Sequence, residues 1–192
     1  MLFAILWSAP AEATNWGATD EAGCGDYYGV SDDSLMTNCG SLANNKWHAV
    51  RFYSLGNQWP GIDDATEWAV DNEYDPTDLS AYVTSTDSYP DVRVWDWNYG
   101  DNGLLGWVDC PEDNTGTGGA GSTRWCRGQI LRYNGWFDGT SYDTLSWRRS
   151  VACHELGHTV GLRHAVGDCM TTGATPHTFL SSHSEGHING YY

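Results

Sequence analysis

The chain has 192 residues, a hydrophobic content of 40% and a formal net charge of -16. That length suits one domain with a core of its own, and the acidic balance argues against a nucleic-acid partner. No stretch is long and apolar enough to read as a membrane span.

Leu2 to Trp7 is a short apolar run, and Ala11-Glu12-Ala13 resembles a small-x-small cleavage site. Residues 1–13 therefore read as the remnant of an export signal, without its basic start. Residues 14–45 are rich in Gly, Asp, Asn and Ser and read as loop. His48 to Leu55 alternates and is rich in strand formers. Asp63 to Tyr74 reads as a helix capped by Asp63 or Asp64, with Ala65, Trp68, Ala69 and Val70 as its apolar stripe. Asp75-Pro76 ends it. Val92 to Trp97, Leu104 to Val108 and Gly128 to Tyr133 read as three further strands. Asn114 to Ser122 between the last two has the composition of a flexible surface loop. A long helix is expected from Thr144 to Gly161, capped by Asp143 or Thr144, with Leu145, Val151, Ala152, Leu156 and Val160 toward the core. A last short helix is expected from Ser181 or Ser182 to Ile188. Strand, helix, strands and helices in this order suit an α+β domain with a twisted mixed sheet.

The six cysteines are Cys24, Cys39, Cys110, Cys126, Cys153 and Cys169. An even count with no C-x-x-C pair fits a disulfide framework in an oxidising, extracellular setting. Connectivity is open on sequence grounds. Pairing of chain neighbours (24 with 39, 110 with 126, 153 with 169) would close short loops worth about 3 kcal/mol each in the chain-entropy model. A Cys153–Cys169 bridge would pin the segment around Met170 to the long helix.

The chemistry is concentrated in Cys153 to His164, CHELGHTVGLRH. His154 and His158 are four apart, so on a helix both imidazoles project from one face, one turn apart. Glu155 stands beside them, able to reach a water without being a ligand. Gly161 can take the left-handed conformation that ends a helix, and the resulting turn brings His164 back as a third ligand. Three histidines leave the fourth tetrahedral position of a zinc ion open to water, whose pKa falls to about 7 there. Glu155 is then the general base and later the proton donor to the leaving amine.

The stretch from His154 to His164 resembles the metzincin signature H-E-x-x-H-x-x-G-x-x-H at all five defining positions. The resemblance implies a zincin-like catalytic domain: a mixed sheet and active-site helix up to about residue 161, then a small subdomain over 162–192. It implies a methionine in a tight turn beneath the metal, for which Met170 is the candidate, and a final helix. It also implies an edge strand, here Leu104 to Val108, that takes up an extended peptide by strand addition. Within the clan the nearest likeness, from Trp47 to the C-terminus, is to matrixins. Ala165 after the third histidine departs from the residue usual in any of the named groups, and Thr172 replaces the tyrosine ligand of astacins. The implied function is that of a secreted, monomeric zinc endopeptidase acting on peptide or protein substrates. The alternatives are a zinc-binding relative with little activity and a secreted binding module.

Other residues carry weaker signals. His183 and His187, four apart, could bind a second metal but lack a third partner in sequence. Asp101, Asp109, Glu112 and Asp113 are candidate calcium carboxylates, without EF-hand spacing. His48 and His177 are unassigned. The 11 tryptophans raise a sugar-binding face, but core and strand packing accounts for most of them more simply.

Overall fold

The computed structural model describes residues 42–54, 58–109, 115–118, 123–162, 164–173 and 175–192. The expected export remnant, the loop before residue 42, Cys24, Cys39, Cys110, Glu112 and Asp113 lie outside these. Strand β1 is Leu42–Ala43 and β2 is Trp47–Ser54. Helix α1, Ile62–Ala69, runs into a π-helical turn, Val70–Tyr74. Strands β3 (Ser80–Val83), β4 (Val92–Trp97) and β5 (Gly106–Asp109) follow. Then come β6 (Thr115–Gly118), β7 (Thr123–Cys126) and β8 (Gln129–Asn134). Helices α2, Leu145–Thr159, and α3, Ser182–Tyr191, complete the chain.

The α+β class expected from the sequence is the class found. The main sheet has the order β3-β2-β4-β8-β5. Its first four strands run parallel, and β5 lies antiparallel to β8 at the edge. Helices α1 and α2 pack against each other and cover one face. There Val50, Val94 and Leu131 meet Ala69, Ala152 and Leu156, all nearly inaccessible. Burying one such leucine stabilises the fold by roughly 1.5–3 kcal/mol. A second sheet, β1-β7-β6, pairs β6 with β7 antiparallel and β1 with β7 parallel.

Several expectations are corrected. Helix α1 begins at Ile62 on Gly61, which has φ 80° and supplies no side-chain cap, so Asp63 and Asp64 lie inside the first turn. Its end widens because Asp75 N–H donates to Val70 O, five residues back. Thr115–Gly118 is a strand, not loop, because β7 offers it a partner. Strand β3 was not expected; its four residues carry little pattern, and pairing with β2 makes the strand. Leu145 is 51% exposed, not core. It is the first residue of α2. Helix α3 continues past Ile188 to Tyr191.

The tryptophans also differ from expectation. Among those described, Trp59 is the only one wholly buried, while Trp47, Trp95, Trp97 and Trp136 are exposed. Strand alternation explains three of them. His48, Val94 and Asp96 take the inward positions, so Trp47, Trp95 and Trp97 point outward.

Candidate metal centre

Thr144 caps α2 by accepting from Trp147 N–H at 3.3 Å. The helix is buried on most sides from Ser150 onward, so its apolar residues do not form a single stripe. Its ionisable residues in that stretch are two histidines and a glutamate. Helix α2 ends at Thr159, and Gly161 has φ 103°. Leu162 N–H closes the turn on Gly157 O at 2.9 Å. A residue with a Cβ rarely adopts that φ, so the glycine permits the reversal that returns His164 to the helix.

The reversal also sets the protons. His158 Nδ1 is 2.9 Å from Leu162 O, and His154 Nδ1 is 2.8 Å from Cys169 O. A carbonyl only accepts, so both Nδ1 atoms carry the hydrogen and both Nε2 atoms present lone pairs. Those Nε2 atoms are 3.1 Å apart. The ring of His164 lies 5.0 Å from that of His154 and 5.1 Å from that of His158, centroid to centroid. One ligand atom from each of the three lies within 4.8 Å of the others, so this trio could hold a metal ion. Two facing lone pairs at 3.1 Å repel unless a cation lies between them. The separation is close to the about 3.3 Å that tetrahedral geometry gives for zinc–nitrogen bonds of about 2.0–2.1 Å. Burial lowers the basicity of both rings, His154 to about 4 and His158 well below its ordinary value, with the neighbouring histidines adding to the effect. Neutral imidazole is the ligating form.

Glu155 is 6% exposed, and burial raises its pKa to about 8. Its side chain lies under the edge strand. A Cβ on Gly106 would stand 2.9 Å from Glu155 Cγ and 3.1 Å from Arg132 O. Gly106 therefore leaves the space that the carboxylate occupies. Asn134 holds the loop before β5. Its Oδ1 accepts from Tyr99 N–H at 3.0 Å, and its Nδ2 donates to Gly100 O and Leu104 O at 2.9 and 3.1 Å.

The floor beneath the histidines is built from the segment after His164. Cys169 is disulfide-bonded to Cys153. Met170 is fully buried in a turn closed by Thr171 N–H donating to Asp168 O at 3.0 Å. Asp168 organises this turn. Oδ1 accepts from Met170 N–H at 2.9 Å, while Oδ2 accepts from the hydroxyls of Ser181 and Ser184 at 2.7 and 2.6 Å. One buried carboxylate thus joins the Met170 turn to the start of α3. At the other end of α3 the Tyr192 hydroxyl donates to Val160 O at 3.0 Å and accepts from Ala43 N–H at 2.8 Å.

These elements enclose a cleft of about 540 Å³. Leu104 and Gly106 form one rim, Thr171 and Thr172 another. Phe137, Tyr142 and Trp147 make an aromatic wall, with successive rings edge to face at 5.4 and 4.9 Å.

Gly106, Asn134, Gly157 and Asp168 were missed in the sequence. Each acts through a contact made by distant chain, which no local pattern announces. The weaker candidates are not assembled. His183 and His187 are adjacent, 4.6 Å between rings, but among the described residues only the three histidines of the cleft form a metal-ligating group. Asp109 pairs with Arg132, and Asp101 lines the cleft. His48 is buried, and its Nε2 is 2.8 Å from Thr159 Oγ1. His177 takes its place through its backbone, donating to Ser150 Oγ at 3.2 Å. Cys126 is also disulfide-bonded. No helix among those described is long and apolar enough to cross a membrane.

No family model matches the sequence, and no curated protein matches it. A solved structure described as that of myroilysin is similar at 14% identity and a TM-score of 0.42. The likeness covers 65% of this chain and 52% of that one, so the chain spans about half the length of that protein.

Proposed function

We propose that the chain is a secreted, zinc-dependent endopeptidase of the metzincin kind, with His154, His158 and His164 as metal ligands and Glu155 as general base. The observation that carries this is the pair of Nε2 lone pairs held 3.1 Å apart, both Nδ1 protons being committed to carbonyls. A metal centre explains why a fold would hold imidazoles that way, and the carboxylate alongside makes the centre hydrolytic. Three ligands from one chain, with a cleft beside them, suit a catalytic rather than a closed structural site.

Zinc in this site would supply Lewis acidity, polarising the scissile carbonyl and easing deprotonation of the attacking water. The protein supplies the rest. Burial makes the Glu155 carboxyl a stronger base than an exposed one, and a dication nearby favours its ionised form. Glu155 takes the proton of the water as it attacks and passes it to the departing amine. The carbonyl groups of Leu162 and Cys169 keep the two imidazoles oriented. Strand β5 ends the sheet beside the cleft, so an extended substrate can add to it through backbone hydrogen bonds. Met170 and the Cys153–Cys169 bridge hold the floor. Residues 14–192 act as one catalytic unit, its subdomains meeting near residue 161. The disulfides suit an oxidising compartment.

The test is cleavage of unfolded casein or a peptide library, with and without a zinc chelator. Cleavage should vanish with chelator and fall by orders of magnitude in Glu155→Ala while zinc remains bound. Undiminished cleavage by that variant would overturn the assignment of the base. Zinc binding without any cleavage would leave a metal-binding protein and remove the peptidase.

A further inference from the structure

The main sheet has a second face, opposite α1 and α2, and its chemistry differs from the rest of the surface. Alternation places Arg51 and Tyr53 of β2, Arg93 and Trp95 of β4, and Arg132 of β8 on that side. These groups form a band across the strands. The Arg51 guanidinium lies 4.9 Å over the Tyr53 ring. Tyr53 stacks on Trp95, with centroids 6.0 Å apart and planes inclined by 26°. Trp95 is the cross-strand partner of Arg132, whose guanidinium is 5.7 Å from the Trp107 ring of β5. Tyr53 and Trp95 remain 38% and 39% exposed although they touch each other. Beside Tyr53 opens a cavity of about 380 Å³, walled by Tyr53, Tyr89, Arg93 and Arg127. Tyr89 is 74% exposed.

Arg132 is paired with Asp109 on this face, whereas Arg51 and Arg93 are held by backbone carbonyls alone. Arg93 donates through Nε and Nη2 to Gly128 O at 3.2 and 2.7 Å, and Arg51 donates to Asp87 O. Neither has a carboxylate within ion-pair distance among the described residues. Arg127 reaches Asp91 only at 4.0 Å and is half-exposed. Four of the chain's nine basic residues (Arg51, Arg93, Arg127 and Arg132) thus lie on one face of a protein of charge -16. A guanidinium fixed by a carbonyl still offers its outer N–H groups to a carboxylate, and a ring beside it offers a flat apolar surface.

We propose that this face binds an acidic polysaccharide. One uronate-type sugar would sit between Tyr53 and Tyr89, its carboxylate toward Arg93 and Arg127, with the chain continuing over Trp95. Sugar rings present flat C–H faces to aromatic rings and carry anionic groups at intervals, which matches a band of alternating rings and guanidiniums. Nucleic acid fits less well. Duplex DNA carries a charge about every 1.7 Å, which the strongly acidic remainder of the protein would repel.

The experiment is equilibrium binding of the whole chain to polygalacturonate, with dextran and oligo(dT) as comparison polymers. It needs no turnover, so its outcome is independent of the peptidase reading. Affinity for polygalacturonate should exceed that for dextran at least tenfold and fall as salt is raised. Arg93→Ala, Trp95→Ala and Tyr89→Ala should each weaken it about tenfold while leaving the circular dichroism and any cleavage of a short peptide unchanged. Tyr89 is so exposed that its replacement leaves folding intact, which keeps the test decisive if another variant misfolds. Equal affinity for dextran, unchanged binding by the Tyr89 and Arg93 variants, or tighter binding of oligo(dT) would each overturn the proposal.

Discussion

Met170 occupies the space where a side chain on Gly157 would begin. A Cβ there would overlap the Met170 sulfur and stand 3.0 Å from its Cε and from the Tyr74 hydroxyl. Met170 is fully buried, and Tyr74 is fixed by its hydrogen bond to Cys153 O, so neither can move aside without disturbing the helix that carries the histidines. Gly157→Ala should destabilise the fold by about 1–3 kcal/mol, the usual cost of overpacking, and weaken zinc binding. Thermal melts and chelator competition measure both. A Gly157→Ala/Met170→Ala double variant should be less destabilised than the sum of the two single changes.

Gly106 stands in the same relation to Glu155. Gly106→Ala would press on the carboxylate and on the backbone of β8. Peptide cleavage should fall at least tenfold, about 1.4 kcal/mol of barrier, with zinc retained. Steady-state kinetics alongside metal analysis separates that outcome from loss of the metal.

Asp168 accepts from four donors: Met170 N–H, Ser181 N–H and the hydroxyls of Ser181 and Ser184. Asp168→Ala would strand them in a buried place. Urea unfolding should show a loss of about 1–3 kcal/mol or more, the cost of leaving buried donors unsatisfied. Asp168→Asn keeps the shape and one acceptor, so it should lose less.

Burial lowers the pKa of His48 to about 3, against an ordinary value of about 6.5. Between those values the unfolded chain binds a proton at His48 that the folded chain refuses. Stability therefore rises with pH through this window and falls on acidification, by up to about 1.4 kcal/mol per pH unit from this residue. Unfolding midpoints at pH 4.5 and 7.5 should differ less in His48→Gln than in the parent.

Metal removal should lower the melting temperature, and excess zinc should restore it. A ligand at one hundred times its Kd adds about 2.7 kcal/mol to the folded state. His154→Ala should abolish most of that response. An unchanged response in the variant would place the zinc elsewhere.

By itself the sequence determined whatever depends on spacing along one element. His154 and His158 share a helix face because they are four apart, and Gly161 and His164 follow three and six residues later, so the clustering of the three histidines was legible from spacing. Capping residues at Thr144 and Ser181 and the short apolar run before Asp109 located α2, the start of α3 and the edge strand β5 to within a few residues for the same reason. The tertiary structure alone decided what depends on chain brought from afar. Strand β3 has no pattern of its own and exists because β2 pairs with it, and β6 depends likewise on β7. Gly106 and Gly157 matter through side chains 49 and 13 residues away in sequence, and Asp168 through hydrogen bonds to the next helix. Composition points to core and strand packing for most tryptophans without orienting any one of them, and Trp47, Trp95 and Trp97 are exposed. Residue type sets how much surface can be buried, but pairing and pleat decide which face receives it.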